Sequence, residues 1–327
     1  IIMNNIYFSI IVVFKDNNFF LQKLLSTLNN QSFKNFELIL VSENNFELIK
    51  DNFNYEIKFI KSATSIPPKK RDIGILNSDG NFIVFIDDDA YPRDDWLLNA
   101  SKITEEEKIL VFGGPGITPP DERVFSKILT QYNYSKFTGG IPIRNISIGN
   151  IIEVSEWPSM NFFCKKEILN QVNNFDNSYW PGDDSYLCEK ISSKKFTIYY
   201  VPNIVVYHYR RQNFIKHFKQ VYRYGLHRSY FFKLGFKNSR KLIYFVPSLI
   251  LITILPLSIL IIRFNLEFYI FFLIFFYYFL SSAILLFKTK SALSFISSFF
   301  VPLNILTYGF SFIKGLLTRS LNSKYER

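Results

Sequence analysis

Phe82-Ile83-Val84-Phe85-Ile86-Asp87-Asp88-Asp89 joins a continuous apolar run to three carboxylates. The apolar part reads as a strand buried on both faces, the pattern of a strand inside a parallel sheet. Three adjacent carboxylates repel one another unless something positive meets them. In open α/β sheets, ligands bind at the carboxyl ends of the strands. Carboxylate oxygens at such an end suit a hard divalent cation that keeps positions open for a phosphate. An acidic surface turn is the competing reading of the triplet taken alone.

The flanking sequence repeats the strand-helix alternation. Ser9-Ile10-Ile11-Val12-Val13-Phe14 is expected as a first buried strand. Asn18 to Asn29 carries helical periodicity in Phe20, Leu21, Leu24, Leu25 and Leu28. Phe36 to Val41 and Ile57 to Ile60 are expected as strands, and Lys69 to Leu76 as a helix. Asp79-Gly80 turns the chain into the strand that ends at the aspartates. Leu110 to Phe112 is a further strand, closed by Gly113-Gly114-Pro115-Gly116. This order predicts an α/β domain with a doubly wound, mainly parallel sheet.

Downstream the composition changes. Residues 242–262 and 268–287 carry no charge, and each is about as long as a helix that crosses a bilayer. A third charge-free run, 291–313, contains Pro302, Asn304 and several serines, so it spans, re-enters or lies at the interface. Ten Lys or Arg and no acid fall between Asn203 and Lys241. Such a block suits nucleic acid or a membrane surface. Next to a span the positive-inside rule explains it better, which predicts no nucleic-acid partner and a cytoplasmic amino-terminal domain. The expected organisation is a catalytic domain over 1–210, a basic amphipathic interfacial helix region over 211–241, a membrane region over 242–313 and a basic tail over 314–327. The chain has a net charge of +11 over 327 residues. Cys164 and Cys188 fit no metal-ligand spacing and read as free thiols. No signal peptide is read in the lead Ile1-Ile2-Met3.

Several further groups follow the aspartates in order. Gly182-Asp183-Asp184, after Trp180-Pro181, precedes a helix expected near Ser185, where the helix dipole favours an anion. His208 ends the apolar run Ile204-Val205-Val206-Tyr207. Gln220, Arg223 and Tyr224 share one helix face. Arg71 opens a helix after Pro67-Pro68. Each has a structural alternative: an N-cap, a buried histidine, a solvated basic face, a surface arginine.

Taken in sequence order, these residues resemble the family 2 glycosyltransferases with the GT-A fold, over residues 9 to about 230. Asp87-Asp88-Asp89 is similar to the family's Asp-x-Asp and Gly182-Asp183-Asp184 to its Gly-Glu-Asp. Gln220-Val221-Tyr222-Arg223-Tyr224 resembles Gln-x-x-Arg-Trp, with Tyr for Trp. Asn174-Phe175-Asp176 resembles Gly-Phe-Asp, and Lys70-Arg71-Asp72-Ile73-Gly74 resembles Ala-Arg-Asn-x-Gly. The chain departs from the family where the first strand ends, at Val13-Phe14-Lys15-Asp16, and where the second ends, at Ser42-Glu43.

The resemblance implies a membrane-anchored, inverting glycosyltransferase that uses Mn²⁺ or Mg²⁺. It implies metal ligands in Asp87, Asp89 and His208, and a general base in Asp184. Phe14, Glu43, Arg71, Asp88 and Arg223 would meet the nucleotide-sugar donor. Trp180, Asp183, Gln220 and Tyr224 would meet a lipid-linked or surface glycan acceptor. The expected location is the cell membrane, multi-pass, among membrane lipids. A processive polysaccharide synthase and a polyprenyl-phosphate sugar synthase are rival enzymes. An inactive membrane scaffold is the non-enzyme rival, opposed by the intact carboxylates.

Overall fold

The computed structural model describes residues 7–46, 53–177, 179–265 and 267–321. The amino-terminal lead, and Lys324 and Arg327 of the expected basic tail, lie outside them. The chain divides into two units. The first holds the described residues up to 119 together with 146–209; the second holds 120–145 and 210–321. Residues 120–145, expected within the catalytic domain, therefore group with the second unit.

Strands β1 (Phe8–Val13), β2 (Phe36–Ser42), β3 (Glu56–Lys61) and β4 (Phe82–Ile86) make one half of an eight-stranded sheet. They pair in the order β3-β2-β1-β4, all parallel. Every residue of β1, β2 and β4 is buried, as continuous apolar runs require when both sheet faces are covered. Helices α1 (Phe19–Leu28) and α2 (Pro67–Leu76) supply the crossovers. Asn18 caps α1, its Oδ1 accepting from the N–H groups of Phe20 and Leu21 at 2.9 and 3.1 Å. Leu21, Leu24, Leu25 and Leu28 make its buried stripe.

The other half of the sheet holds β6 (Val111–Gly113), β8 (Ile152–Val154), β9 (Asn161–Lys165) and β10 (Ile198–Tyr200), in the order β9-β6-β10-β8 beyond β4. Strand β9 lies antiparallel between β4 and β6, with Ile86 opposite Asn161. Its Phe163 stacks on Phe112 at 4.8 Å and meets the edges of Trp96 and Phe8 at 5.1 and 5.8 Å. Trp96 opens α3 (Trp96–Glu106), so the centre of the core is aromatic.

A second, three-stranded sheet sets the site. It pairs β5 (Ala90–Pro92), β11 (Val206–His208) and β7 (Gly116–Ile117) in the order β5-β11-β7. Strand β11 runs antiparallel to β5 with His208 opposite Ala90. That register brings a residue more than a hundred positions away beside the end of β4.

In the second unit, α7 (Phe214–Lys233) packs along α10 (Leu293–Leu317). Small residues allow the approach: a Cβ on Gly225 would meet Ser311 Oγ at 2.1 Å and the Tyr308 carbonyl at 2.6 Å. His217 Nε2 and Asn304 Oδ1 pair at 2.9 Å in the same seam. Helix α9 (Glu267–Thr289), with mean hydropathy 2.4, and α10, with 1.5, are long and apolar enough to cross a membrane. The run expected over 242–262 is not one straight helix. Leu242–Ile254 and Pro256–Arg263 meet at a 42° bend, and Pro256 removes a helical hydrogen bond there. The run over 291–313, the weaker expectation, is a continuous helix that absorbs Pro302.

Candidate active site

The aspartates leave the buried end of β4 as a turn, with the Ala90 N–H donating to the Asp87 carbonyl at 3.1 Å. Asp89 is fixed from β11: the Tyr209 N–H donates to its carbonyl at 3.0 Å, and its Oδ1 lies 3.1 Å from His208 Nε2. One ligand atom from each of Asp87, Asp89 and His208 lies within 4.8 Å of the others. Their side chains are 32, 21 and 17% exposed, so the cluster opens to solvent on one side. Two hard oxygens and an imidazole nitrogen fit a divalent cation that keeps free coordination positions. Asp88, part-exposed, lies between them in sequence.

A second set of carboxylates stands behind the first. Gly182, at φ 112°, turns the chain into α6 (Asp183–Ser193), a backbone conformation that favours glycine. The helix begins at Asp183, two residues earlier than expected, so both Asp183 and Asp184 lie in its first turn. Arg71, on α2, joins the two sets. Its guanidinium donates to Asp183 through Nη1 and to Asp87 Oδ1 at 3.2 Å through Nη2. It also lies over the Phe175 ring at 5.5 Å. Burial works against the Arg71 cation, and Asp183, Asp87 and Asp184 more than offset it, so its pKa moves up.

Burial pushes both aspartates of this turn above the ordinary carboxylate range. For Asp183 the neighbouring Asp184 adds to the rise and Arg71 opposes it. For Asp184, Arg71 and Ser159 oppose the rise and Asp87 adds to it. Asp184 Oδ1 has no hydrogen-bond partner among the described residues. An acceptor lone pair kept unbonded in a buried place is what a proton-accepting group needs.

The loop before α6 is held from two sides. Asp72 accepts from the N–H groups of Phe175 and Asp176 at 2.8 and 2.9 Å. Lys190, on α6, donates to the carbonyls of Asn174 and Phe175 at 2.6 and 3.0 Å. Trp180, on this loop, is part-exposed. Neither Asp72, Lys190 nor Ser159 stood out in the sequence. Asp72 had a signal in its position beside Arg71; the other two had none short of the fold.

Three expected roles meet a different geometry. Phe14 is 1% exposed and packs against Phe46 and Phe59 at 5.1 and 6.4 Å, so its ring belongs to the core and offers nothing to a nucleotide. Its carbonyl accepts from Lys70 Nζ at 2.7 Å. Arg71, expected against the nucleotide, is buried between Asp87 and Asp183. Asp183, expected against the acceptor, is 3% exposed and bound to that arginine. Glu43 stands at the end of β2, as expected, with Oε2 2.7 Å from the fully buried Lys70 Nζ. Gln220, Arg223 and Tyr224 lie on α7 in the second unit, where Gln220 Nε2 donates to Tyr224 Oη at 2.8 Å.

Residues 9–161 match the model of Glycosyl transferase family 2. The chain is a glycosyltransferase, and residues 9–161 form its family 2 domain. It is 23% identical over 333 residues to a Methanococcus voltae dolichyl N-acetyl-alpha-D-glucosaminyl phosphate 3-beta-D-2,3-diacetamido-2,3-dideoxy-beta-D-glucuronosyltransferase, covering 95% of this chain and 97% of that protein. It is 24% identical over 203 residues to the glycosyltransferase GlyA of Streptococcus pneumoniae, spanning 58% of this chain and 28% of that longer protein. Among solved structures, a mannosyltransferase from Pyrobaculum calidifontis, in complex with GDP-Man and Mn²⁺, superposes with a TM-score of 0.51. That match has 14% identity and covers 68% of this chain and 61% of the other, which shows the GT-A fold. The expected fold and family agree with these findings.

Proposed function

We propose that this glycosyltransferase moves one sugar, with inversion, from a nucleotide-sugar to a hydroxyl of a lipid-linked glycan at the cytoplasmic face of a membrane. The observation that carries the proposal is the cluster of Asp87, Asp89 and His208, joined through Arg71 to the helix turn that holds Asp183 and Asp184. The relative from Methanococcus voltae, whose name gives a dolichyl-linked acceptor, supports the acceptor class.

Asp87, Asp89 and His208 would hold Mn²⁺ or Mg²⁺, which supplies Lewis-acid stabilisation of charge growing on a leaving diphosphate. Asp184 takes the proton from the acceptor hydroxyl, whose own pKa lies far above neutrality. Arg71 offsets the repulsion between Asp183 and Asp87 and fixes the first turn of α6, so Asp184 is presented at a set place. Glu43, paired with Lys70, accepts from an N–H of the base. Trp180 meets the acceptor. A single displacement by a hydroxyl activated from one side inverts the anomeric carbon.

The test is transfer of radiolabelled sugar from a panel of nucleotide-sugars into lipid-extractable product by membranes that contain the protein. Product with inverted anomeric configuration is expected. Retained configuration excludes a single displacement, and label in long polymer alone assigns a processive synthase instead.

A further inference from the structure

We propose that residues 120–145 form a second membrane-contacting element that inserts apolar side chains into the bilayer beside the spanning helices. The inference rests on reading α9 as a membrane span. In the sequence this segment looks like an ordinary part of the catalytic domain, and in the structure it groups with α7, α9 and α10.

Two contacts tie it to the apolar helices. Ser294 Oγ, at the start of α10, donates to Gln131 Oε1 at 3.2 Å. The Phe137 ring meets Tyr277 of α9 at 5.4 Å between centroids. Tyr277 lies about 18 Å from the end of α9 at Thr289, at ~1.5 Å per residue. The headgroup layer of a bilayer is only about 5–8 Å on each side of its hydrocarbon core. A segment that touches Tyr277 therefore reaches past the headgroups if α9 spans.

The surface of the segment suits that depth. Helix α4 (Val124–Thr130) turns Ser126, Ile128, Leu129 and Thr130 inward and leaves Val124 and Phe125 60 and 42% exposed. Phe137 and Ile141 are 45 and 40% exposed. Large apolar side chains exposed in this way mark a surface meant for another apolar phase. The exposed Arg123 and Lys136 sit next to them in sequence. Long basic side chains can lay their stems along acyl chains and reach the headgroup phosphates.

The backbone is also prepared for a place without water. Such a turn must satisfy its own polar groups. Gly139 N donates to the Lys136 carbonyl at 3.0 Å and Gly140 N to the Ser135 carbonyl at 2.9 Å. Thr138 Oγ1 donates to the Tyr132 carbonyl at 2.6 Å. The ends are pinned as well: Arg210 donates to Glu122 Oε2 at 2.6 Å and to Asn145 Oδ1 at 2.8 Å. The occupant that matches continuity with α9, exposed apolar groups and flanking cations is bilayer lipid.

The test uses the full chain in vesicles of phosphatidylcholine and phosphatidylglycerol. Single cysteines at exposed positions, Phe125→Cys and Phe137→Cys, carry an environment-sensitive fluorophore. Leu76→Cys, 75% exposed in the first unit, and Phe272→Cys, 58% exposed on α9, are the two references. Native Cys164 and Cys188 are buried, and the wild-type chain measures their background labelling. The expected result is loss of fluorescence from probes at 125 and 137 to lipids bearing a nitroxide on the acyl chain, comparable with 272 and well above 76. Loss at 272 without loss at 125 and 137, with those two quenched by aqueous iodide instead, overturns the proposal alone. No loss at 272 overturns the reading of α9 as a span, and the proposal with it. Quenching at 125 and 137 that persists in detergent at raised protein concentration only would assign the surface to a second copy of the chain and also overturn the proposal.

Discussion

Arg71 balances three carboxylates from two stretches of chain nearly a hundred residues apart. Arg71→Met leaves Asp183 buried without its cation, and breaking such a pair costs on the order of 3–5 kcal/mol. Thermal unfolding of the purified chain is expected to shift down accordingly, and an unchanged midpoint would show that the carboxylates find another partner. Asp184→Asn keeps the side-chain shape and removes its basicity. Transfer to acceptor is expected to fall about 10²- to 10⁴-fold, while nucleotide binding stays near wild type. The pH dependence has a definite sign. As the proposed base Asp184 would work as the anion, and burial raises its pKa above the ordinary carboxylate value. Transfer is therefore present above that raised value and is lost as pH falls through it. A rate already flat above the range of a free aspartate would contradict this placement. The positions of the candidate carboxylates were legible in the sequence because each closes a local pattern, a strand end or a helix start. The pairing of Arg71 with Asp183 was not, because it depends on where α2 and α6 meet. Phe14 misled for the same reason: a strand-end position says nothing about which way a ring points.

Strands β1, β2 and β4 and helix α1 were readable because a largely apolar run or a 3.6-residue stripe specifies burial without help from elsewhere. Strand β9 was not. Its Asn-Phe-Phe-Cys-Lys is too short to separate from a helix fragment by period, and its antiparallel place between β4 and β6 is fixed by the sheet. That strand nevertheless carries the centre of the aromatic core. Phe163→Ala is expected to cost about 3–5 kcal/mol, read as a drop in the denaturation midpoint; a change within error would mean the site collapses around the gap. The seam between α7 and α10 was also hidden, since glycines and serines on an apolar helix look like interruptions rather than contacts. Gly225→Leu places a branched side chain against Ser311 and the Tyr308 carbonyl. Overpacking of this kind costs about 1–3 kcal/mol or more, and limited proteolysis in detergent should expose α7 earlier than in wild type. The bend at Pro256 shows the converse error: charge-free length predicts a span but not a straight one.

At the scale of the whole molecule, the basic block before the apolar helices predicts which side of the membrane meets the donor. A reporter fused after Lys290 is expected in the cytoplasm and one near Asn265 outside, the outcome the positive-inside rule gives for ten cations between Asn203 and Lys241 beside a span. The opposite labelling would separate the site from cytosolic nucleotide-sugars. The division into two units was only partly visible in advance. The change near residue 210 coincides with a change in composition, but the grouping of 120–145 with the apolar helices has no compositional mark. The central claim is that Asp87, Asp89 and His208 present a divalent cation to the donor. It is tested by nucleoside diphosphate release from a panel of nucleotide-sugars, with acceptor membranes, in Mn²⁺ or Mg²⁺ and in EDTA. Release that EDTA abolishes, that added metal restores and that Asp89→Asn eliminates is the predicted result; release at the wild-type rate in EDTA would contradict it.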